Sequence, residues 1–403
     1  MSALPTPASS AEKPVLLTGA TGFLGAHLLA ALLADGRPVI VLGRSRGAER
    51  LTDRLQQLLE WFGLAPGSCR LEAVEADFQQ PACGLPPAEF ARLAARAGDI
   101  IHCASDTSFT ESRRTQVFAA NVEGLRTLLE LAAARRSGWF HFISTAYAVG
   151  QGAGLVPEAP VTATAFTNAY EASKAAAERL VAAQCAAQGV PFTLVRPSIV
   201  YGDARTGRAL KFTALYKLVH ALRHLRELMG REVRNCTARS HAVGAHFDGA
   251  GTLHLPLRLH LPCEGLINLV PVDYFVTAAR AILAAPTPGG IYHLAADQPP
   301  ALGTLAGYCG EFLGLTGIEL SYGGAAPGGP RAPHEVLFAR LTEPYHPYLA
   351  DRRRFATTNA RRATGGLVPP DFDYTIFARC MRYAESVAWG EQLFSAGSGS
   401  AGA

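Results

Sequence analysis

Residues 14–31, PVLLTGATGFLGAHLLAA, constrain the fold more than any other part of the chain. Val15, Leu16 and Leu17 form a short apolar run that reads as a buried parallel strand. Gly19, Gly22 and Gly25 follow at three-residue spacing, and Phe23, Leu24, Leu28 and Leu32 then take up a helical period. A strand that passes through a glycine turn straight into a helix N-terminus is a phosphate cradle. Gly19 permits the turn, Gly22 lets backbone N–H groups approach a pyrophosphate, and Gly25 lets the helix pack closely on the strand. The spacing is GxxGxxG rather than GxGxxG, so the flanking strand and helix carry the inference of a dinucleotide site as much as the glycines do.

Composition narrows the class. Of 403 residues, 49% are hydrophobic and 17% charged, which allows a large core and leaves no long segment reading as disordered. A formal net charge of +4, without a basic block of the kind that tracks a phosphate backbone, argues against a nucleic-acid partner. Eight cysteines are scattered without a CxxC pair and read as reduced thiols of a cytoplasmic protein. The N-terminus lacks an apolar signal core and no run of about 18 apolar residues occurs, so no membrane span is expected. Residues 1–12 and 396–403 read as flexible ends.

Between those ends strand and helix patterns alternate. Residues 38–42, 70–75, 99–103, 139–144 and 191–195 read as further strands, and 49–62, 87–97, 117–135 and 168–187 as helices. Such alternation with short connections implies a Rossmann-type, doubly wound parallel sheet in an α/β fold, because each crossover returns right-handedly over one face. It breaks down after about residue 198, where Gly, Pro, His and Arg interrupt the pattern. Residues 13–200 are therefore expected to form the dinucleotide-binding domain and 201–395 a smaller C-terminal substrate-binding region. Segments 267–270 and 290–294 are candidates to return to the sheet.

The second strand ends Leu42, Gly43, Arg44, with no carboxylate where an acidic residue would bond the ribose 2′-hydroxyl of NAD. Arg44 and Arg54 offer guanidinium groups suited to a 2′-phosphate, so NADPH is the expected cofactor; Arg46 either joins them or is a solvated surface charge. Asp77 and Phe78, after the third strand, stand where a carboxylate meets the adenine amino group and a side chain flanks the ring, with a capping role as the alternative for Asp77.

The chemistry centres on Thr145, at the end of the fifth strand, and on Tyr170 and Lys174. Four residues apart on a helix, the last two share a face one turn apart. A free tyrosine has a pKa of about 10, and a neighbouring ammonium is expected to lower it toward neutrality. Thr145 would donate to a substrate carbonyl oxygen as negative charge develops there. Ser144 could donate instead; the register leading into residues 146–150 favours Thr145.

TGATGFLG, the DIIHCAS strand, Thr145, Tyr170 with Lys174, and RPSIVYG at residues 196–202 together resemble the extended short-chain dehydrogenase/reductase family. TGATGFLGAHLLAALL, RPSIVYGDARTGR and INLVPVDYFVTAA at residues 267–279 resemble its thioester-reductase and fatty acyl-CoA reductase branch. The resemblance implies hydride transfer from NADPH and a catalytic triad of Thr145, Tyr170 and Lys174. It also implies a cofactor site built from Gly19, Thr21, Gly22, Phe23, Leu24, Gly25, Arg44, Arg54, Asp77, Phe78, Ala104, Ser105, Tyr170, Lys174, Pro197, Ser198 and Ile199.

The first strand begins about a dozen residues into the chain, which reads as a free-standing reductase taking a diffusible acyl thioester on coenzyme A or on a separate carrier protein. Ten basic residues in 205–260 (Arg205, Arg208, Lys211, Lys217, Arg223, Arg226, Arg231, Arg234, Arg239, Arg258) outnumber Glu227, Glu232 and Asp248, and either attract an acidic carrier or the phosphates of coenzyme A or form a solvated face. His220 and His224 lack a third ligand at fixed spacing, so no metal is expected. The leading reading is a reductase that releases an aldehyde from the thioester, with further reduction to the alcohol as an extension. A dehydrogenase or epimerase of sterol-like or sugar-nucleotide alcohols shares the triad and is the alternative. A non-catalytic nucleotide sensor would need the glycine turn without the acid. Oligomeric state stays open.

Overall fold

The computed structural model describes residues 13–394 apart from 66, 68, 136 and 325–330; the ends expected to be flexible lie outside the described residues. The first alternations give β1 (Val15–Thr18), α1 (Phe23–Ala34), β2 (Val39–Gly43), α2 (Leu51–Trp61), β3 (Leu71–Glu75), α3 (Pro87–Arg96) and β4 (Ile100–His102). Next come α4 (Arg114–Phe118), α5 (Gly124–Ala134), β5 (Phe140–Ile143), β6 (Ala153–Val156), α6 (Ala169–Gln188), β7 (Phe192–Pro197) and β8 (Ile199–Tyr201). The later chain forms α7 (Leu215–Arg234), α8 (Ala238–Ala242), β9 (His246–Phe247), β10 (Leu253–Leu261), β11 (Leu269–Pro271), α9 (Val272–Ala284), β12 (Gly290–Leu294), α10 (Leu302–Leu313) and β13 (Leu315–Tyr322). It ends in α11 (Pro333–Thr342), α12 (His346–Leu349), β14 (Arg352–Phe355), α13 (Thr358–Ala363) and α14 (Tyr374–Ser386).

Apolar strands such as VLLT and VIVLG are buried nearly end to end, as a sheet covered on both faces requires. They assemble in the order β12-β7-β5-β4-β1-β2-β3. The register is parallel, with Val15 beside Val39, Leu16 beside Ile100, Ile100 beside Phe140 and Phe140 beside Phe192. Strand order runs outward from β1 in one direction and from β4 in the other, so the connections part between these two strands. The carboxyl ends there frame the crevice in which such sheets bind ligands. Leu16, Ile40, Phe140 and Phe142 pack with Leu93, Leu125, Leu128 and Val181 from the helices. Truncating any one of these leucines to Ala would cost about 2–5 kcal/mol.

The chain divides into two compact units, Met1–Gly150 with Ala159–Arg196 and Ala279–Tyr292, and Gln151–Glu158 with Pro197–Ala278 and His293–Ala403. Neither 13–200 nor 201–395 is thus one uninterrupted unit, and the two take in similar lengths of chain. In the second unit β10 pairs in parallel with β13 and antiparallel with β9. Phe377 of α14 gathers Tyr308, Phe312, Phe372 and Tyr374 around it, all with ring centroids within 6.3 Å.

Two expectations need correction. Segment 290–294 does join the main sheet, as β12, but 267–270 does not. Its strand, β11, pairs with β8 in a separate two-stranded sheet, where the Asn268 side chain holds the backbone of Ala296 at 2.9 Å through both its donor and its acceptor. The helix expected over 117–135 is interrupted by a π-turn, Ala119–Glu123, between α4 and α5.

Candidate active site

The glycine turn is built as its spacing requires. Gly19 adopts φ +71°, and a Cβ there would lie 2.5 Å from Ala104 N, so the turn rests directly on the exit of β4. A Cβ on Gly25 would lie 2.2 Å from Gly19 O. No side chain caps the N-terminus of α1 and its first turn carries no acid, which leaves N–H groups and a positive helix end toward an anion. Beneath the turn, Thr18 Oγ1 accepts from Cys103 N and Ala104 N at 3.3 Å and lies 2.8 Å from His102 Nδ1. Burial, with Lys174 nearby, pushes His102 down to about 3, so its ring is neutral and Nδ1 can accept the Thr18 proton.

Arg54, on α2, donates to Thr21 Oγ1 at 2.7 Å and to Arg44 O at 3.2 Å, with Glu49 at 3.8 Å. Thr21, Arg44 and Arg54 are thereby brought together at the end of β2, where the Arg44 side chain is exposed. One residue here escaped the sequence reading. Glu75, the last of β3, accepts from Ser45 N at 2.8 Å, Ser45 Oγ at 2.6 Å and Leu51 N at 3.2 Å. Burial raises its carboxyl, but these bonds and Arg50 outweigh it and hold the group below the usual carboxylate range. The available signal was register: Glu75 stands beside Gly43. Asp77 Oδ1 accepts from Gln79 N at 3.1 Å, organising its own turn, while Phe78 O accepts from Thr127 Oγ1 at 3.1 Å. The Ser105 hydroxyl donates to Asn121 Oδ1 at 3.2 Å. Pro197, Ser198 and Ile199 fall at the start of a segment of the second unit, where Ser198 N donates to Leu294 O at 2.9 Å.

Asn168 caps α6 by accepting from Glu171 N at 3.0 Å, and Glu171 accepts from Thr167 N at 3.0 Å. That start places Tyr170 in the first turn and Lys174 one turn on. The Tyr170 and Thr145 side chains are hydrogen-bonded to each other. Thr145 Oγ1 also accepts from Tyr147 N at 3.3 Å. The buried Ser144 hydroxyl has no hydrogen-bond partner among the described residues. Lys174 is buried, donates to Ile143 O at 2.9 Å and lies 4.6 Å from the Phe142 ring centre. Burial lowers it to about 8, with Cys103 and Glu178 opposing the shift.

The shift of the Tyr170 hydroxyl runs opposite in sign to the one expected. Burial pushes the tyrosine hydroxyl well above its ordinary range, Cys103 and Glu171 add to this, and only the Thr145 hydrogen bond lowers it. The ammonium is directed at Ile143 O and the Phe142 ring rather than at the phenol. Behind Lys174, Glu178 and Arg196 form a fully buried two-point ion pair at 2.9 and 2.6 Å. Asn121, on the π-turn, is a second residue missed from sequence; a lone buried amide in AANVEG was its only trace.

In the second unit the basic excess is partly answered by acids from later in the chain. Arg223 is 2.9 Å from Glu227 and 3.9 Å from Glu385, Arg258 is 2.8 Å from Glu335, and Arg205 is 3.8 Å from Asp273. Arg226 is half-buried rather than displayed. Lys217, His220, His224 and Arg231 give α7 an exposed, mainly basic face, which the exposed Glu227 interrupts. His220 stacks on Trp389 at 4.7 Å, and no group of three or more metal-ligating side chains occurs among the described residues. All eight cysteines are unpaired, and Cys236 is exposed rather than buried. No described helix is long and apolar enough to cross a membrane.

The profile of the family described as male sterility protein matches residues 17–279. The isonitrile lipopeptide synthase of Streptomyces coeruleorubidus is 37% identical over 215 residues, which is 51% of this chain and 14% of that protein. This chain thus spans a small part of that relative's length. Among solved structures, the terminal R domain from the myxalamid PKS-NRPS biosynthetic pathway superposes with a TM-score of 0.73 at 23% identity, covering 95% of this chain and 93% of that one. A thiolation-reductase di-domain from an archaeal non-ribosomal peptide synthetase gives 0.66 at 16% identity, covering 94% and 76%. With a glycine cradle, a Tyr-x-x-x-Lys helix and a profile match across most of the chain, the protein belongs to the male sterility protein family, the NAD(P)-binding, thioester-reductase-like branch of the extended short-chain dehydrogenase/reductases.

Proposed function

We propose that this chain is an NADPH-dependent reductase that releases a carrier-bound acyl thioester as an aldehyde. The observation that carries the reading is the Thr145–Tyr170 hydrogen bond, with the buried Lys174 ammonium one turn away, at the carboxyl ends of a sheet whose glycine turn has no room for a Cβ. That cradle and the uncapped helix end fit a dinucleotide pyrophosphate. Arg44 and Arg54 would hold a 2′-phosphate, since no acidic side chain ends β2.

NADPH held on this cradle would supply hydride to the thioester carbonyl carbon. Tyr170, kept protonated by burial, donates its proton to the oxygen as charge develops there. Thr145 holds the Tyr170 hydroxyl in place and stabilises the oxyanion. Lys174 keeps a positive charge beneath them. The hemithioacetal that results breaks at its C–S bond, giving an aldehyde and a thiol that takes up the hydroxyl proton. A second round on the aldehyde would give the alcohol.

The relatives' names supply the substrate class. An R domain that ends a synthetase, and one solved joined to a thiolation domain, both support a thioester held on a carrier protein; coenzyme A is the small-molecule counterpart. The exposed basic face of α7 suits the acidic surface of such a partner.

The test is to mix the purified chain with NADPH and, separately, acyl-pantetheine thioesters, acyl carriers, sterol-like ketones and sugar nucleotides, following absorbance loss and identifying products by mass. Aldehyde and free thiol from the thioesters alone are expected. Turnover confined to ketones or sugar nucleotides would replace this reading with that of a dehydrogenase or epimerase.

A further inference from the structure

The loop that leaves β4 is fastened at two points. Asn121 Oδ1 accepts from Asp106 N at 2.7 Å and from Ser105 Oγ at 3.2 Å, while Nδ2 donates to Asp106 O and to Ser173 Oγ, both at 2.9 Å. Ser173 lies on α6 between Tyr170 and Lys174, and its hydroxyl donates to Tyr170 O at 2.8 Å. One buried amide thus ties the loop to the helix that carries the acid. Asp106 closes the loop by accepting from Ser108 N at 2.9 Å and pairing with Arg113 at 3.2 Å. Inside the closed loop, the half-buried Phe109 sets its ring 5.8 Å from that of Tyr170, tilted by 37°.

We propose that Phe109 is a positioning residue for the proton donor, holding the Tyr170 ring in the rotamer from which its hydroxyl meets Thr145 and keeping water from that side of the ring. The inference rests on the reading of Tyr170 as the acid. A tyrosine ring turns about χ1 and χ2, and a neighbouring ring at this spacing is enough to bias where it rests. Thr145 anchors only the hydroxyl end. Phe109 is carried by a loop pinned through Ser105, Asp106 and the Ser108 N–H, so it can act as a stop.

The variants Phe109→Ala, Phe109→Leu and Phe109→Tyr would be compared by steady-state kinetics and by direct titration of NADPH, alone and in a Tyr170→Phe background. Phe109→Ala is expected to lower kcat by about three- to tenfold, with the thioester KM and the NADPH Kd unchanged. Phe109→Tyr should restore kcat, and Phe109→Leu, which keeps bulk if Ala disturbs folding, should fall between. In Tyr170→Phe, which retains the ring and lacks the hydroxyl, removing Phe109 should change kcat no further. A rise in KM at constant kcat would make Phe109 a wall of the substrate site and overturn the proposal. An equal loss in both backgrounds would overturn it too. Near-normal turnover of Tyr170→Phe alone would instead overturn the assignment of the acid.

Discussion

Replacing Gly25 with alanine isolates what the glycine turn contributes. The added Cβ would sit 2.2 Å from Gly19 O, 2.7 Å from Gly19 C and 3.2 Å from Ala20 Cα. Carbon atoms pack favourably at about 3.5 Å or more, so α1 and the turn must part by about 1 Å. They cannot do so freely, because Gly19 O already accepts from Gly22 N at 2.9 Å. Overpacking of this kind costs about 1–3 kcal/mol of stability. The same shift carries the first N–H groups of α1 away from a pyrophosphate, and losing one charge-assisted hydrogen bond of about 1.5–3 kcal/mol weakens binding by about ten- to a hundredfold. Urea unfolding would read the first effect, and fluorescence titration with NADPH the second. Gly36→Ala is the control, since its Cβ meets nothing within 4 Å and its φ of +73° strains the backbone without touching the cradle. Unaltered nucleotide affinity in Gly25→Ala, or an equal loss in Gly36→Ala, would refute the role assigned to close packing at the turn.

Breaking the buried Glu178–Arg196 pair with Glu178→Ala should destabilise the protein by about 3–5 kcal/mol in urea, because it strands the guanidinium without its carboxylate. In the pH profile of kcat/KM, activity should fall as pH rises through about 8, where Lys174 loses its proton, while Tyr170, raised by burial, remains protonated. A plateau extending past pH 10 would show that the ammonium is not required. Arg54→Ala should weaken 2′,5′-ADP by about 1.5–3 kcal/mol and leave 5′-AMP unchanged in calorimetric titration, since its contacts lie at Thr21 and Arg44. Raising salt should increase KM for a carrier-bound substrate but not for a small aldehyde, and Lys217→Glu with Arg231→Glu should do the same at low salt.

The sheet was legible because its strands are buried on both faces and therefore apolar throughout, and because the glycine turn marks where the first of them ends. Tyr170 and Lys174 were legible for the same reason of local spacing: four residues on a helix define a face without tertiary information. Glu75 and Asn121 were not, because each acts across strands or helices distant in sequence, and a glutamate at a strand end or an asparagine in a helix has many ordinary uses. The π-turn at 119–123 was hidden because it keeps the helical apolar pattern while adding one residue to the turn. The basic excess of 205–260 was visible, but its partners Glu335 and Glu385 lie far along the chain from Arg258 and Arg223, where charge counting in a window does not reach. The rise in Tyr170's pKa was also out of reach, since it depends on what packs around the phenol in the folded chain rather than on which residue follows four places later.

The central claim, that this chain moves a hydride onto a thioester carbonyl with Tyr170 as the acid, is tested most directly by isotope. NADPH carrying deuterium at both C4 positions of the nicotinamide would be supplied with an acyl-pantetheine thioester, and the product analysed by mass spectrometry. The account predicts one deuterium at the aldehyde carbon, with one thiol released per NADPH consumed, and a loss of about a hundredfold or more in that rate for Tyr170→Phe. Free acid in place of aldehyde, an aldehyde without deuterium, or undiminished transfer in Tyr170→Phe would contradict it.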